Sequence, residues 1–301
     1  MKKFIAMIIA LSLLFTAGCG AVVTDNTDSV IAVSFYPIYI FTLNLTNGID
    51  GLTVTCMAEQ STGCLHDYTL TARDAKLLND ADVFVINGAG LETFLDDVSE
   101  TTEDLAIVDS SEGIELLCSH HHEGEEHTGH NHESNSHIWL SVENAKKQVL
   151  NIKNGLVEKY PQYEKQINQN YEEYIVRLNG LSDELKGTYQ AAQGQKIITF
   201  HAAYEYMAAE SGLEIVECIE SDEGGEPSAK KIAHLCDVIP GQGIKALFVE
   251  PDYNGSAAEI MAAETGVKIY VLNPVTKGEV TLGAYEDIMR ENIQTILKAV
   301  S

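Results

Sequence analysis

The chain has 301 residues, 45% of them apolar, enough to build two lobes or one large domain with real cores. Its 45 acidic and 19 basic residues give a net charge of −26, which argues against attraction to nucleic acid or to an anionic membrane surface. Six cysteines are present without a Cys-x-x-Cys pair, which disfavours a cysteine-based zinc site.

Lys2 and Lys3 precede an apolar run from Phe4 to Phe15 that is too short to span a bilayer as a mature helix. Thr16, Ala17 and Gly18 then set small residues before Cys19. Residues 1–19 thus resemble a bacterial lipoprotein signal, with Cys19 as the lipidated first residue of an extracytoplasmic chain anchored to the cell membrane. Ordinary secretion with cleavage nearby is the alternative. Residues 20–28 read as a polar tether.

A first lobe is expected over 29–140. Val30–Phe35, Leu52–Cys56, Asp82–Gly88 and Leu105–Asp109 are short apolar runs that read as strands, Pro37 begins a new element, and Asp74–Asn79 suits a helix. Strands separated by helical stretches imply parallel βα units, whose ligands bind at the carboxyl ends of the strands.

The lobe ends in an unusual stretch. Between Cys118 and Leu140 lie His120, His121, His122, His127, His130, His132 and His137, seven of the chain's ten histidines, mixed with glutamates. There is no apolar periodicity before Ile138 and Trp139, so the run has no face to bury. His-rich tracts read as metal binding, because neutral imidazole is the commonest protein ligand for zinc and copper. A solvated loop without a role is the bland alternative. A loop at 119–134 would bind metal loosely, because ordering it costs conformational entropy. The six histidines from His120 to His132 are therefore an auxiliary site, and a tight one belongs on rigid elements.

A helical segment follows over 141–193. Ala145, Val149, Ile152, Leu156 and Val157 recur at helical spacing within Val142–Tyr160. Pro161 starts a second helix that runs without proline from Tyr163 to Tyr189, with Ile167, Tyr174, Leu178, Leu181 and Leu185 on one stripe. Its length, roughly 40 Å at ~1.5 Å per residue, fits a rigid strut between two lobes. A second lobe over 194–301 repeats the βα pattern. Its strands are Lys196–Phe200, Glu214–Glu217, Ala246–Val249 and Lys268–Leu272, with a helix opened at Glu226-Pro227-Ser228 and a closing amphipathic helix Tyr285–Ala299. The fold class is thus α/β, two lobes with parallel sheets joined by one long helix.

Three histidines outside the loop body sit at structural edges. His66 lies in the loop after the second strand, His137 where the His-rich run meets Ile138-Trp139-Leu140, and His201 directly after a strand. Taken together they favour one shared site. His234 falls inside a helix and reads as structural.

At these residues the chain resembles the zinc-type substrate-binding lipoproteins of bacterial metal ABC transporters. The matching segments are Leu65-His66-Asp67-Tyr68, Asn87-Gly88-Ala89-Gly90-Leu91-Glu92, Ser136-His137-Ile138-Trp139-Leu140, Phe200-His201-Ala202-Ala203-Tyr204 and Glu226-Pro227-Ser228. The resemblance covers roughly Ser29 to Ala299 and rests on the order and spacing of these segments. It implies two lobes joined by a long helix with metal between them, and His66, His137 and His201 as ligands. It also implies Zn(II) as the transported ligand, a membrane permease as partner and a monomeric carrier without catalysis. Two departures stand out: Leu65 replaces the acidic residue or proline that often precedes the first ligand, and Asn273 replaces the aspartate of a Leu-Asp-Pro element. Water is then the preferred fourth ligand, with Glu250, Glu205 or a loop residue as alternatives.

With Cys19 lipidated, an odd number of cysteines remains. Possible bridges are Cys56–Cys64, which would clip the loop carrying His66, and Cys218–Cys236. Three histidines with a water also suit an exported zinc-dependent hydrolase, although neither His-Glu-x-x-His nor Gly-x-Ser-x-Gly is present. A metal-stabilised adhesin is the third reading.

Overall fold

Two four-stranded parallel sheets of the same topology form the two lobes. In the first, β1 (Ser29–Val33), β2 (Leu52–Cys56), β3 (Val83–Ile86) and β4 (Ala106–Asp109) lie in the order β2-β1-β3-β4. In the second, β5 (Lys196–Thr199), β6 (Glu214–Cys218), β7 (Ala246–Val249) and β8 (Lys268–Val271) lie in the order β6-β5-β7-β8. The computed structural model describes residues 28–58, 65, 68–95, 98, 102, 105–118, 134–219 and 227–301. Among them no helix is long and apolar enough to cross a membrane.

The inner strands β3 and β7 are buried at all four positions, as strands covered on both faces must be. Alternate side chains serve different cores. Val83 and Val85 join the main core, while Phe84 and Ile86 pack with Leu78 on the other face. Leu78 belongs to α2 (Ala72–Asp80), whose start is fixed by a capping box between Thr71 and Asp74. The first helix, α1 (Tyr36–Thr46), is buried nearly all round.

Two helices follow the first lobe, and the longer one joins the lobes. On α3 (Val142–Lys159), Gly155 allows a close approach to β4, since a Cβ there would meet Val108 at 2.6 Å. The long helix α4 (Glu164–Thr188) is flanked by short 3-10 turns, so the strut runs from Pro161 to Ala191. Its first half is tied to the first lobe, where Gln166 donates to Gly48 O at 2.7 Å and Asn170 to Leu45 O at 2.9 Å. Its second half is tied to α8 (Ala284–Val300) of the second lobe through Arg177–Glu286 at 3.1 Å and Arg290–Glu184 at 2.8 Å.

The lobes also meet directly. Ile31 and Val85 of the first lobe, Leu178 and Leu181 of the strut and Phe248 and Tyr285 of the second lobe share one contiguous apolar cluster. Pulling the lobes apart would cost ~1.5–3 kcal/mol for each large apolar side chain fully uncovered. Hydrogen bonds cross the same boundary. The Trp139 indole donates to Pro274 O at 2.7 Å, and the Tyr285 hydroxyl to Trp139 O at 2.8 Å. Glu210 closes α5 (Glu205–Ser211) in the second lobe and caps the start of α3, accepting from the Ser141 hydroxyl and, at 3.2 Å, from Glu143 N. A carboxylate there also complements the positive end of the helix dipole.

Three expectations need correction. Ser34 and Phe35 leave the first strand to start α1, with Phe35 at its N-cap. Pro227 lies outside α6 (Ala229–Gln242), whose N-cap is Ser228, accepting from Lys231 N at 3.2 Å. Among the described residues, Cys218 and Cys236 do not form a bridge with each other. The Cys56 thiol donates to Ala58 O at 3.3 Å, burial pushes it up to about 12, and Cys64 lies outside the described residues. Cys218 and Cys236 face opposite sides of a sheet. A register shift at Ile197/Ile198 turns Glu217 toward α6, where it pairs with Lys231 at 3.0 Å. Cys218, next in the strand, therefore points to the far side, while Cys236 packs on the α6 side near Leu235 and Ile239.

Candidate metal site between the lobes

The carboxyl ends of β5 and β7 lie side by side, because these strands are neighbours in the second sheet. His201 follows β5 and Glu250 follows β7, at the point where the strand order reverses. There the Glu250 carboxylate accepts from Nδ1 of His201. The proton is thereby held on Nδ1, and the ligating lone pair falls on Nε2, the arrangement that carboxylates impose on metal-binding histidines.

His137 comes from the first lobe. It is the N-cap of a 3-10 turn, Ile138–Leu140. The turn is pinned from below. Asn87, just after β3, donates to Ser136 O at 3.0 Å, and Gln148 of α3 donates to Asn87 Oδ1 at 3.0 Å. The fully buried Trp139 packs against the His137 ring, with centroids 5.1 Å apart, and against Phe35 at 4.8 Å. Asn135 closes an Asx turn on His137, accepting from its backbone N–H at 2.8 Å and from Nδ1 at 3.0 Å. His137 therefore also carries its proton on Nδ1.

The two imidazoles meet. Their ring centroids are 4.8 Å apart and nearly perpendicular, and the residues are only 3% and 8% exposed. Two imidazoles, each with Nδ1 turned to an acceptor, could supply two of the four ligands of a tetrahedral zinc shell. Among the described residues no group of three His, Cys, Asp or Glu side chains converges to hold an ion. His66 lies outside the described residues, as do Cys19 and the loop histidines His120, His121, His122, His127, His130 and His132. The two ends of the loop are described, and they are held together next to the site. Cys118 and Ser134 form an antiparallel bridge, and Asn135 N donates to Leu117 O at 2.8 Å. His234 is exposed on α6, on the outer face of the second sheet.

The alternatives for the fourth position have other partners. Asn273 spends its side-chain oxygen on Val275 N at 2.8 Å, stabilising a turn in which Val275 has φ 61°. Asn292 receives the Asn273 backbone N–H at 2.9 Å and donates to its carbonyl at 2.7 Å. Asn273 thus shapes the turn that offers Pro274 O to Trp139. One Glu250 oxygen holds His201, and Glu205 accepts from Asn135 Nδ2 at 2.7 Å. Beneath the site, Glu92 is buried between β3 and the loop that follows it, accepting from Asn87 N at 2.8 Å and Gly88 N at 3.0 Å. Burial nevertheless pushes its carboxyl up to about 7, against the lowering effect of those N–H groups.

Sequence reasoning named Glu250 only as a possible ligand and passed over Asn135. The available signals were Asn two residues before a candidate histidine, which is Asx-turn spacing, and a glutamate directly after a strand.

The chain is similar in sequence and in fold to known proteins. The family model ZnuA, "Zinc-uptake complex component A periplasmic", matches residues 31–299. The zinc-binding protein AdcA of Streptococcus pyogenes serotype M3 is 32% identical over 319 residues, covering 98% of this chain and 61% of that protein. The chain thus spans about three fifths of the AdcA proteins it matches. The high-affinity zinc uptake system protein ZnuA of Bacillus subtilis is 31% identical over 307 residues, covering 96% of this chain and 95% of that protein. A crystal structure of ZnuA superposes with a TM-score of 0.77 at 26% identity, covering 91% of this chain and 99% of that one.

Proposed function

The chain belongs to the ZnuA family, the periplasmic A components of zinc-uptake complexes, and from that membership and the buried imidazole pair we propose that it captures Zn(II) between its lobes and delivers it to the permease of an ABC importer. The observation that carries the reading is the meeting of His137 and His201, one from each lobe, with ring centroids 4.8 Å apart. His66 is proposed as the third ligand and a water as the fourth. Three imidazole nitrogens suit zinc, whereas carboxylate and water suit manganese. Zinc also accepts three protein ligands and one water without strain, having no d-electron geometric preference.

The chain acts outside the cytoplasm, anchored through lipid on Cys19, as a monomer whose task is capture and release and not catalysis. The loop histidines are proposed to supply a second, looser zinc site. The inter-lobe hydrogen bonds and shared core support small rearrangements on loading.

Metal analysis of protein purified without added metal tests the reading. The expected result is one tightly held zinc per chain, retained when 119–133 is deleted and lost in His137→Ala or His201→Ala. Tight zinc that survives both substitutions in folded protein overturns the assignment.

A further inference from the structure

Asn135 has four hydrogen-bonding sites in its amide, two acceptor lone pairs and two donors, and the structure occupies all four. Its Oδ1 accepts from His137 N at 2.8 Å and from His137 Nδ1 at 3.0 Å. Its Nδ2 donates to Ala202 O and to Glu205 Oε2, both at 2.7 Å. The amide cannot be turned over, since the NH2 would then face the His137 backbone N–H and the oxygen would face the Ala202 carbonyl. Asn135 is 2% exposed, so no water can substitute for a lost partner without a cost.

Resting on the zinc-capture reading, with His137 and His201 as ligands, we propose that Asn135 is a positioning residue that sets metal selectivity: its oxygen fixes the His137 tautomer, and its NH2 keeps the Glu205 carboxylate out of the coordination shell. Glu205 opens α5, four residues after His201, and is 8% exposed. Glu205 shares Asn135 with His137, and among the described residues it does not converge on the imidazole pair as it stands; freed from Asn135, its carboxylate would add the hard oxygen donor that manganese favours. Hydrogen bonding to Asn135 ties it instead to the first lobe. One amide thereby presents the nitrogen donor and withholds the oxygen donor.

The test uses the full chain and four variants: Asn135→Ala, Asn135→Asp, Asn135→Ala combined with Glu205→Gln, and His137→Ala as control. Zn(II) and Mn(II) affinities are measured by chelator competition, folding by circular dichroism, and the His137 ring state by 15N NMR of the metal-free chain. In Asn135→Ala the preference for zinc over manganese should narrow by about tenfold or more, and the His137 ring should lose its single Nδ1–H form. Adding Glu205→Gln should restore the preference but not the ring signature. Asn135→Asp keeps the acceptor and removes both donors, so it should keep the ring signature while the preference narrows. It also serves as the second variant should Asn135→Ala fail to fold. An unchanged preference in both single Asn135 variants, with His137→Ala still abolishing tight zinc, overturns the proposal and leaves the capture reading standing. A narrowed preference that Glu205→Gln does not restore overturns the withheld-carboxylate role. Tight zinc surviving in His137→Ala overturns the capture reading itself.

Discussion

Removing Glu250 isolates what the protein around the ligands contributes to metal affinity. In the structure its carboxylate holds Nδ1 of His201 and so decides which ring nitrogen carries the proton. Losing such a support typically costs about 10–100-fold in metal affinity. The Glu250 side chain is 31% exposed, so water can partly replace it, and the lower end of that range applies. Glu250→Ala should therefore weaken zinc binding about tenfold, or ~1.4 kcal/mol. Glu250→Gln keeps an acceptor but loses the charge, and it should retain roughly half of the free energy, because charge-assisted hydrogen bonds are about twice as strong as neutral ones. Chelator competition at constant pH and salt measures both, with His201→Ala alongside. Unchanged affinity in Glu250→Ala would refute the orienting role. A loss as large as that of His201→Ala would make Glu250 a ligand in its own right.

Three further outcomes are expected. An unfolded glutamate titrates near 4.5, whereas folded Glu92 titrates at about 7. The stability from neutral Glu92 is thus fully present below pH 4.5 and is lost as pH rises through 7, by up to about 3 kcal/mol. Denaturant unfolding of metal-free protein from pH 4 to 8 should show this fall, and a Glu92→Gln slope equal to that of the native chain would count against it. Trp139→Phe strips the donor from Pro274 O at a fully buried position and should cost about 2 kcal/mol in the same assay; an unshifted unfolding midpoint would contradict the inter-lobe bond. Small-angle scattering should show little change in radius of gyration on adding zinc, because the strut and shared core tie the lobes; a compaction typical of wide hinge closure would contradict that.

Much of the fold is legible in the sequence. The inner strands announce themselves as unbroken apolar runs, because both of their faces are covered. The strut is readable from the three- and four-residue spacing of Tyr174, Leu178, Leu181 and Leu185. Helix α1 is not readable in this way, since Tyr36–Thr46 is buried nearly all round and shows no polar face to set a period. The chemistry divides similarly. His137 and His201 stand out by position and by resemblance to a family. Their supports do not, because Asn135 meets Glu205 across 70 residues of chain and His201 meets Glu250 across 49. No local pattern encodes such pairings; they exist only once the two sheets are side by side. The cysteines show the converse error. Spacing allowed a Cys218–Cys236 bridge, and a single register shift in β6 sends the two side chains to opposite faces.

Zinc K-edge X-ray absorption on the singly loaded chain lacking 119–133 tests the central claim most directly. The account predicts three imidazole nitrogens at about 2.0–2.1 Å and one further oxygen, with one imidazole lost in each of His66→Ala, His137→Ala and His201→Ala. A first shell containing sulfur, or one dominated by carboxylate oxygen and unaltered by these substitutions, would contradict it.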